Sequence, residues 1–296
     1  MLTRIISGAV GIVLIGTVLF FHDTIVLPVA VAAIIAVMLF ELLRAVKLHK
    51  CLPILFSAEG AGISVPLIYY LTGCSKAVFD NTEAGIQGDP AFYSAEVLEV
   101  NHIFQFVIVL LAAFVIFVTW LKKHKEIRYE QVFFVLAVMV LVPQAMTTML
   151  RIECFDAESG LFLLIMGLCG AWIADTGAYF TGVAVGKHKL CPEISPKKTI
   201  EGLVGGIVTT AIVYAAAFSV YYGFTAKRAA VAFATGAVCA VIGTVGDLSA
   251  SMVKRQIGFK DYGKIMPGHG GLMDRFDSVL FVLPTFYAFI ALFGVQ

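Results

Sequence analysis

The segment DLSASMVKRQIGFKDYGKIMPGHGGLMDRFD, residues 247–277, is the last polar stretch of the chain and lies between two strongly apolar runs. If the preceding run forms a helix that continues into the segment, Asp247, Ser251 and Lys254 share one helical face, at i, i+4 and i+7. That face would present a carboxylate, a hydroxyl and an ammonium group in the same direction. The segment therefore predicts a polar site at the end of a membrane helix.

A glycine-rich turn, PGHGG at 267–271, follows within the same segment and predicts a new helix that starts at Leu272. Asp274 and Asp277 would then lie in the first turns of that helix. Backbone N–H groups at a helix start attract anions, and carboxylates hold hard cations. Carboxylates, basic side chains and a glycine turn beside apolar helices predict a site for phosphates and Mg²⁺.

The composition of the whole chain is that of a membrane protein. Hydrophobic residues make up 60% of the 296 residues and charged residues 14%, and the mean hydropathy is +0.93. Soluble domains are typically about 45–50% apolar. A spanning helix needs about 20 mostly apolar residues, so the repeated apolar runs predict an all-α, polytopic integral membrane protein with about nine transmembrane helices. The net charge of +1 gives no indication of nucleic acid as a partner.

Nine apolar runs give the predicted spans: 5–21, 25–46, 52–73, 103–121, 130–150, 161–181, 202–222, 229–253 and 277–295. Residues 1–150 then hold about five spans, and residues 151–296 form a C-terminal catalytic region that contains the polar loop 247–277. Residues 75–102 are expected to form a long polar loop.

Basic residues cluster after the second, fourth, sixth and eighth spans. By the positive-inside rule, these loops face the cytoplasm, and only Lys227 and Arg228 depart from the pattern. The sequence therefore predicts a multi-pass protein of the inner cell membrane whose polar loop faces the cytoplasm.

A second polar group lies in the sixth predicted span and just after it. A charged residue as deep as Asp175 costs about 2.5–3.5 kcal/mol on insertion scales, so Asp175 is expected either to share a cavity with Asp247 or to form a helix-to-helix hydrogen bond. Lys197 and Lys198 could neutralise a triphosphate or simply set the topology. Close helix packing near these residues is predicted by Gly202, Gly205 and Gly206.

Other polar residues are interpreted mainly as structural. Glu41 and Arg44 are expected to pair at i, i+3 near a helix end. His22 is expected to be an interfacial or solvated residue. His269, in the glycine turn, has two readings of equal weight: it contacts a phosphate, or it holds the loop.

The segment from Ser251 to Asp277, SMVKRQIGFKDYGKIMPGHGGLMDRFD, resembles the signature of the phosphatidate cytidylyltransferase family. GKHKL at 186–190 and SPKKTIEG at 195–202 are also similar to that family, so the resemblance covers roughly residues 174–278. One position departs from the pattern: Ala250 stands where the family often has Glu. An acidic metal ligand or a group that supports one is therefore expected to be missing, while the signature itself is intact.

The resemblance implies that the lipid phosphate of phosphatidate attacks the α-phosphorus of CTP, giving CDP-diacylglycerol and pyrophosphate. The expected catalytic residues are Asp247, Asp274, Lys254, Ser251 and Asp175. The expected contacts to substrate phosphates and the turn around them are Arg255, Arg275, Lys197, Lys198, Thr199, Lys260, His269, Gly270 and Gly271. The resemblance also implies a homodimer in the lipid bilayer.

Aspartates without neighbouring thiols or clustered histidines favour Mg²⁺ or Mn²⁺ over zinc. We expect Asp247 and Asp274 to be the metal ligands, with Asp277 as the next candidate. Asp277 has an alternative role, since at the head of a helix it could pair with Arg275 or satisfy the helix terminus. Two divalent sites, or one divalent site with a monovalent cation, both fit the sequence.

Two other functions fit parts of the sequence. A CTP-dependent membrane kinase of a lipid alcohol would also be polytopic, but it would release CDP rather than pyrophosphate. An ion-coupled transporter could use Glu59, Asp175 and Asp247 as a cation path. A transporter does not require the dense polar loop at 247–277, so the enzyme interpretation is favoured.

Overall fold

The computed structural model describes residues 2–74, 90–156, 158–266, 268 and 270–294. Its helices are α1 (Leu2–Phe20), α2 (Val26–Ala45), α3 (Leu52–Tyr69), α4 (Pro90–Lys122), α5 (Tyr129–Glu153), α6 (Gly160–Val185), α7 (Ile200–Tyr222), α8 (Ala226–Ile257), α9 (Met273–Phe276) and α10 (Val279–Phe293). The two strands, β1 (Lys189–Cys191) and β2 (Ser195–Thr199), form an antiparallel hairpin between α6 and α7.

The helices confirm the all-α polytopic architecture. Among the described residues, eight helical stretches are long and apolar enough to cross a membrane, and the last of them joins α9 and α10 as Met273–Phe293. The first predicted span corresponds to α1, whose apolar part, Ser7–Phe20, is shorter. The count of about nine spans is therefore approximate.

One element boundary differs from the sequence-based expectation. The third helix matches its predicted span, since it runs through Pro66 and continues into one π-helical turn, Tyr70–Cys74. The fourth helix begins at Pro90, so the predicted loop is wrong for residues 90–102, and residues 75–89 lie outside the described chain. Proline is favoured in the first turn of a helix, and the alanine, glutamate and leucine residues that follow it are strong helix formers.

One compact unit consists of residues 1–161 and 261–273. Its core lies between α2, α3, α4 and α5, with fully buried side chains such as Leu43, Ile54, Ile116 and Met139. The helices approach closely at Gly62 in α3, where a Cβ atom would collide with Leu39 of α2. The segment 261–273 belongs to this unit, although the sequence placed it in a C-terminal region that begins at residue 151. The physical reason is that its backbone is hydrogen-bonded to α2, as shown below.

The other compact unit consists of residues 162–260 and 274–296. Aromatic side chains fill its core, and the fully buried Tyr214 of α7 donates a hydrogen bond of 2.7 Å to the carbonyl of Met166 in α6. Phe286 of α10 packs edge-on against Tyr214. These contacts join α6, α7 and α10, and α7 and α10 also pack against the long helix α8.

Glycines bring α6 and α7 into backbone contact, as the sequence predicted. A Cβ atom at Gly206 would lie 2.7 Å from the carbonyl oxygen of Ala174, and one at Gly202 would lie 2.7 Å from that of Ala178. Ala174 directly precedes Asp175, so this contact fixes the helix segment that carries the intramembrane carboxylate. In α8, a Cβ atom at Gly246 would lie 3.0 Å from the carbonyl oxygen of Asp277.

We predict that Gly206→Ala lowers the thermal stability of the detergent-solubilised protein. The added Cβ must displace the backbone of α6, and overpacking of this kind typically costs about 1–3 kcal/mol. Gly60→Ala is the matched control, because no atom lies within 4 Å of a Cβ at Gly60 in α3. It should be neutral or stabilising by about 0.5–1 kcal/mol, since alanine is the better helix former. Equal melting temperatures for both variants would contradict this packing.

Candidate active site

The hairpin β1–β2 places one of the two predicted lysines against Asp247. Successive side chains of a strand point to opposite faces, and Lys197 is exposed whereas Lys198 turns inward. The Nζ atom of Lys198 lies 2.5 Å from Oδ2 of Asp247, and both side chains are 24% exposed. The two lysines, treated alike in the sequence, therefore have different surroundings.

Glu201, in the first turn of α7, holds the base of this hairpin. Its carboxylate accepts hydrogen bonds from the backbone N–H groups of Lys187, at 3.0 Å, and His188, at 3.2 Å. It also lies 2.6 Å from Nδ1 of His188. Glu201 is not among the predicted site residues, although an acidic residue next to a helix start is a recognisable signal.

Thr199 is the N-cap of α7 rather than an exposed hydroxyl. Its side chain is buried and accepts a hydrogen bond of 3.1 Å from the backbone N–H of Gly202. This bond satisfies one of the free donors at the helix start. The contact of Thr199 with substrate stays a prediction. In the structure, Thr199 caps α7 at the point where β2, the strand that carries Lys198, ends.

Helix α8 confirms the shared face of Asp247, Ser251 and Lys254. The helix is continuous to Ile257 and ends at Gly258 in the left-handed conformation, with φ of 81°. The hydroxyl of Ser251 donates to Oδ1 of Asp247 over 3.4 Å, one helical turn away. The polar face therefore extends over the last turns of α8.

Lys254 connects the two ends of the polar segment. Its ammonium group donates a hydrogen bond of 2.7 Å to Oδ1 of Asp274, and the two side chains are only 9% and 4% exposed. Removal of one partner of a buried ion pair typically costs about 3–5 kcal/mol. The pair therefore fixes the position of Asp274 beside α8.

Two further carboxylates belong to the same electrostatic group. Asp277 is buried and accepts a 2.8 Å hydrogen bond from the N–H of Ser278. The charged groups that act on Asp277 are Asp247, Lys254 and Asp175. Those that act on Asp175 are Lys198, Asp247 and Arg275. Asp175 and Asp247 are therefore close enough to interact electrostatically, whereas the cavity that they were expected to share stays a prediction.

The carboxylates of this group are of the chemical type that a hard divalent cation prefers, although no three of them have oxygens within 4.8 Å of one another. The group consists of four carboxylates and three basic side chains: Asp175, Asp247, Asp274, Asp277, Lys198, Lys254 and Arg275. Carboxylate oxygens are the ligands that Mg²⁺ and Mn²⁺ prefer. The group has one more carboxylate than basic side chains, and this excess negative charge favours the binding of a cation. The ammonium groups of Lys198 and Lys254 each form an ion pair with one of the carboxylates.

The remaining predicted residues are more peripheral. The Nε of Arg255 donates to the carbonyl of Ile194 in the hairpin, over 3.5 Å. Lys260 is exposed, and so is Arg275, although Arg275 belongs to the group through its effect on Asp175. In the other unit, Gly270 adopts φ of 87° and its carbonyl accepts a 3.1 Å bond from the N–H of Met266. His269 lies outside the described residues.

Glu41 is a polar residue that the sequence analysis paired with Arg44 and gave no part in the site. It is 2% exposed in α2, and its carboxylate accepts hydrogen bonds from the backbone N–H groups of Leu272 and Met273. The sequence indicates only that Glu41, a carboxylate within an apolar run, needs a partner, and it does not indicate which one.

His22, which was expected to be interfacial or solvated, contacts two carboxylates. Its Nδ1 lies 3.0 Å from Asp23 and 3.1 Å from the buried Glu153. Within the part of the chain that the structure describes, these three residues form the one group of potential metal ligands whose atoms lie within 4.8 Å of one another. The group is accounted for by its own hydrogen bonds and ion pairs.

Comparisons with known proteins identify the family of this chain. The chain matches the model of the cytidylyltransferase family over residues 2–293. A phosphatidate cytidylyltransferase of Bacillus subtilis is 35% identical over 204 residues, which cover 69% of this chain and 73% of the relative. Phosphatidate cytidylyltransferases of Staphylococcus saprophyticus and Staphylococcus aureus are 44% identical over 127 residues. That alignment covers 43% of this chain and about half of each staphylococcal protein. The chain belongs to the cytidylyltransferase family.

Proposed function

We propose that the protein transfers the cytidylyl group of CTP to phosphatidate, giving CDP-diacylglycerol and pyrophosphate for phospholipid synthesis. The observation that carries this proposal is the pair of lysine–aspartate contacts, Lys198 with Asp247 and Lys254 with Asp274, set among apolar helices. Such a group can bind phosphates through its cations and a divalent ion through its carboxylates. A water-soluble nucleotide and a membrane lipid would meet at such a site.

The cation site of this proposal uses the carboxylates of the group. Asp247 and Asp274 would hold Mg²⁺ or Mn²⁺, with Asp277 as a third ligand. When bound, the ion would supply neutralisation of the triphosphate charge and polarisation at the α-phosphorus. A second divalent ion or a monovalent cation beside it fits the same donor set.

The two lysines have different roles in this proposal because their burial differs. Lys254 is 9% exposed and keeps Asp274 in place. Lys198 is 24% exposed on a strand, so it can exchange Asp247 for a phosphate of CTP. After that exchange, Lys198 is paired with the phosphate and the Asp247 carboxylate can bind the cation, so neither charge is left without a partner. Arg275 and Arg255 are the further cations near the group that can contact phosphates.

The chemistry needs positioning rather than a strong base, since the attacking phosphate oxygen of phosphatidate is already an anion. This oxygen forms a bond to the α-phosphorus of CTP as the bond from that phosphorus to the bridging oxygen breaks. The electron pair of the broken bond leaves with pyrophosphate. The residues of the group neutralise charge and hold the two phosphates in line, which is the main requirement of phosphoryl and nucleotidyl transfer.

The proposed orientation places this group on the cytoplasmic side of the inner cell membrane. It rests on the clusters of basic residues after alternate spans, which include Lys197, Lys198, Lys254 and Arg255. CTP is available on that side. The proposal includes a homodimer in this membrane, as the family resemblance implies.

We predict that Asp247→Asn and Asp274→Asn each reduce pyrophosphate release at least about 100-fold, as expected when charge stabilisation of the transferring phosphoryl group is lost. The assay uses the detergent-solubilised protein with CTP, phosphatidate and Mg²⁺, and release should need all three. Glu193→Gln, an exposed carboxylate in the hairpin turn, is the control and should retain wild-type activity. Undiminished release in both aspartate variants would contradict the site assignment. CDP as the product would instead indicate a lipid kinase.

We further predict that Lys198→Ala lowers kcat/KM more than Lys197→Ala does. A hydrogen bond to a charged group is worth about 1.5–3 kcal/mol, so the loss at Lys198 should be on the order of 10- to 100-fold. Lys197 lies on the opposite face of the strand, and its removal should cost less than about tenfold. Equal losses would show that the strand does not orient the two side chains as described.

A further inference from the structure

The start of α9 already holds an anion that comes from the protein itself. The carboxylate of Glu41 accepts a hydrogen bond of 3.1 Å from the N–H of Leu272 and one of 2.8 Å from the N–H of Met273. The glutamate is 231 residues away from Leu272 along the chain. The backbone donors that the sequence suggested for a substrate phosphate are therefore bound to Glu41.

Two glycines of the same segment make room for this carboxylate. A Cβ atom at Gly263 or at Gly271 would overlap the carboxylate oxygens of Glu41. Gly258, Gly268 and Gly270 have positive φ, whereas Gly263 does not. Space for Glu41, rather than an unusual backbone conformation, thus accounts for glycine at Gly263.

The bonds of Glu41 matter energetically because both partners are buried. Glu41 and Met273 are 2% and 7% exposed. A buried backbone donor without an acceptor costs about 1–3 kcal/mol, so without the carboxylate the segment would move to regain hydrogen bonds. Met273 is followed directly by Asp274, and a shift of the segment is therefore passed to the carboxylate that pairs with Lys254.

We propose that Glu41 is a positioning residue of the enzyme: it fixes the backbone of residues 261–273 and, through the chain, the placement of Asp274. This proposal rests on the proposed function for its catalytic consequence. It gives the N-terminal helix α2 a direct part in setting the active-site segment. It also assigns substrate phosphates to the basic side chains rather than to the amides of Leu272 and Met273.

Glu41→Gln tests the proposal, with Glu59→Gln as the matched control. Glu59 is also a carboxylate within a membrane helix, α3, but it belongs to none of the contacts described above. The first readout is amide hydrogen exchange of the peptide that contains residues 261–273, which does not depend on activity. The second is kcat and KM for CTP and phosphatidate, measured by pyrophosphate release.

In Glu41→Gln, the NH₂ group of the glutamine faces one of the two N–H donors and cannot accept its hydrogen bond. Amide hydrogen exchange of the 261–273 peptide should therefore be faster than in the wild type, whereas it should be unchanged in Glu59→Gln. We expect kcat to fall about 10- to 100-fold with little change in KM, because small misplacements of reacting groups have effects up to about 100-fold. Unchanged exchange would overturn the proposal, and so would faster exchange with wild-type kcat. If the wild-type protein released no pyrophosphate, the proposed function would fail, whereas the exchange result would still decide whether Glu41 fixes the segment.

A double-mutant cycle tests the contact even where single variants are unstable. Gly263→Ala alone should lower kcat, because its Cβ collides with the Glu41 carboxylate. In a Glu41→Ala background this carboxylate is absent, so adding Gly263→Ala should lower kcat less than about threefold further. Independent, multiplicative losses would overturn the proposed role of this contact.

Discussion

Charge inside an apolar helix bundle has to be paired, and the architecture of this protein depends on how that pairing is achieved. Lys254 and Asp274 are the most buried pair of opposite charges in the candidate site, with side chains 9% and 4% exposed. Each ion would carry a penalty of several kcal/mol if it were buried alone. The pair joins the end of α8 to the residues after the glycine turn, so the neutralisation of charge also fixes the geometry of the site.

Close backbone contacts make these pairings possible. Gly206 lets α7 approach the turn of α6 that carries Asp175, and Gly246 lets α8 approach the backbone of Asp277. The hairpin contributes Lys198 to the group. Lys197 does not contribute, because successive side chains of β2 point to opposite faces of the strand. Small residues, a short strand and one N-cap therefore bring charges from distant parts of the chain into one electrostatic group.

Much of this could be predicted from the sequence, and the exceptions have physical causes. Apolar runs of sufficient length predict helices, and the i, i+4, i+7 spacing correctly placed Asp247, Ser251 and Lys254 on one face of α8. The difference between Lys197 and Lys198 could not be predicted because the hairpin is too short to show a clear strand pattern. The bond from Glu41 to Met273 joins positions 232 residues apart, and local spacing carries no information on such a contact.

Lys254 and Asp274 stabilise the fold as a buried pair, and in the proposed function Asp274 also holds the cation. The most direct test compares the thermal unfolding of Lys254→Met, Asp274→Asn and the double variant in detergent. Each single variant should be destabilised, by about 3–5 kcal/mol where a full charge is left unpaired. The double variant should recover most of the wild-type stability and remain inactive. Additive destabilisation in the double variant, or activity that returns with stability, would contradict the account.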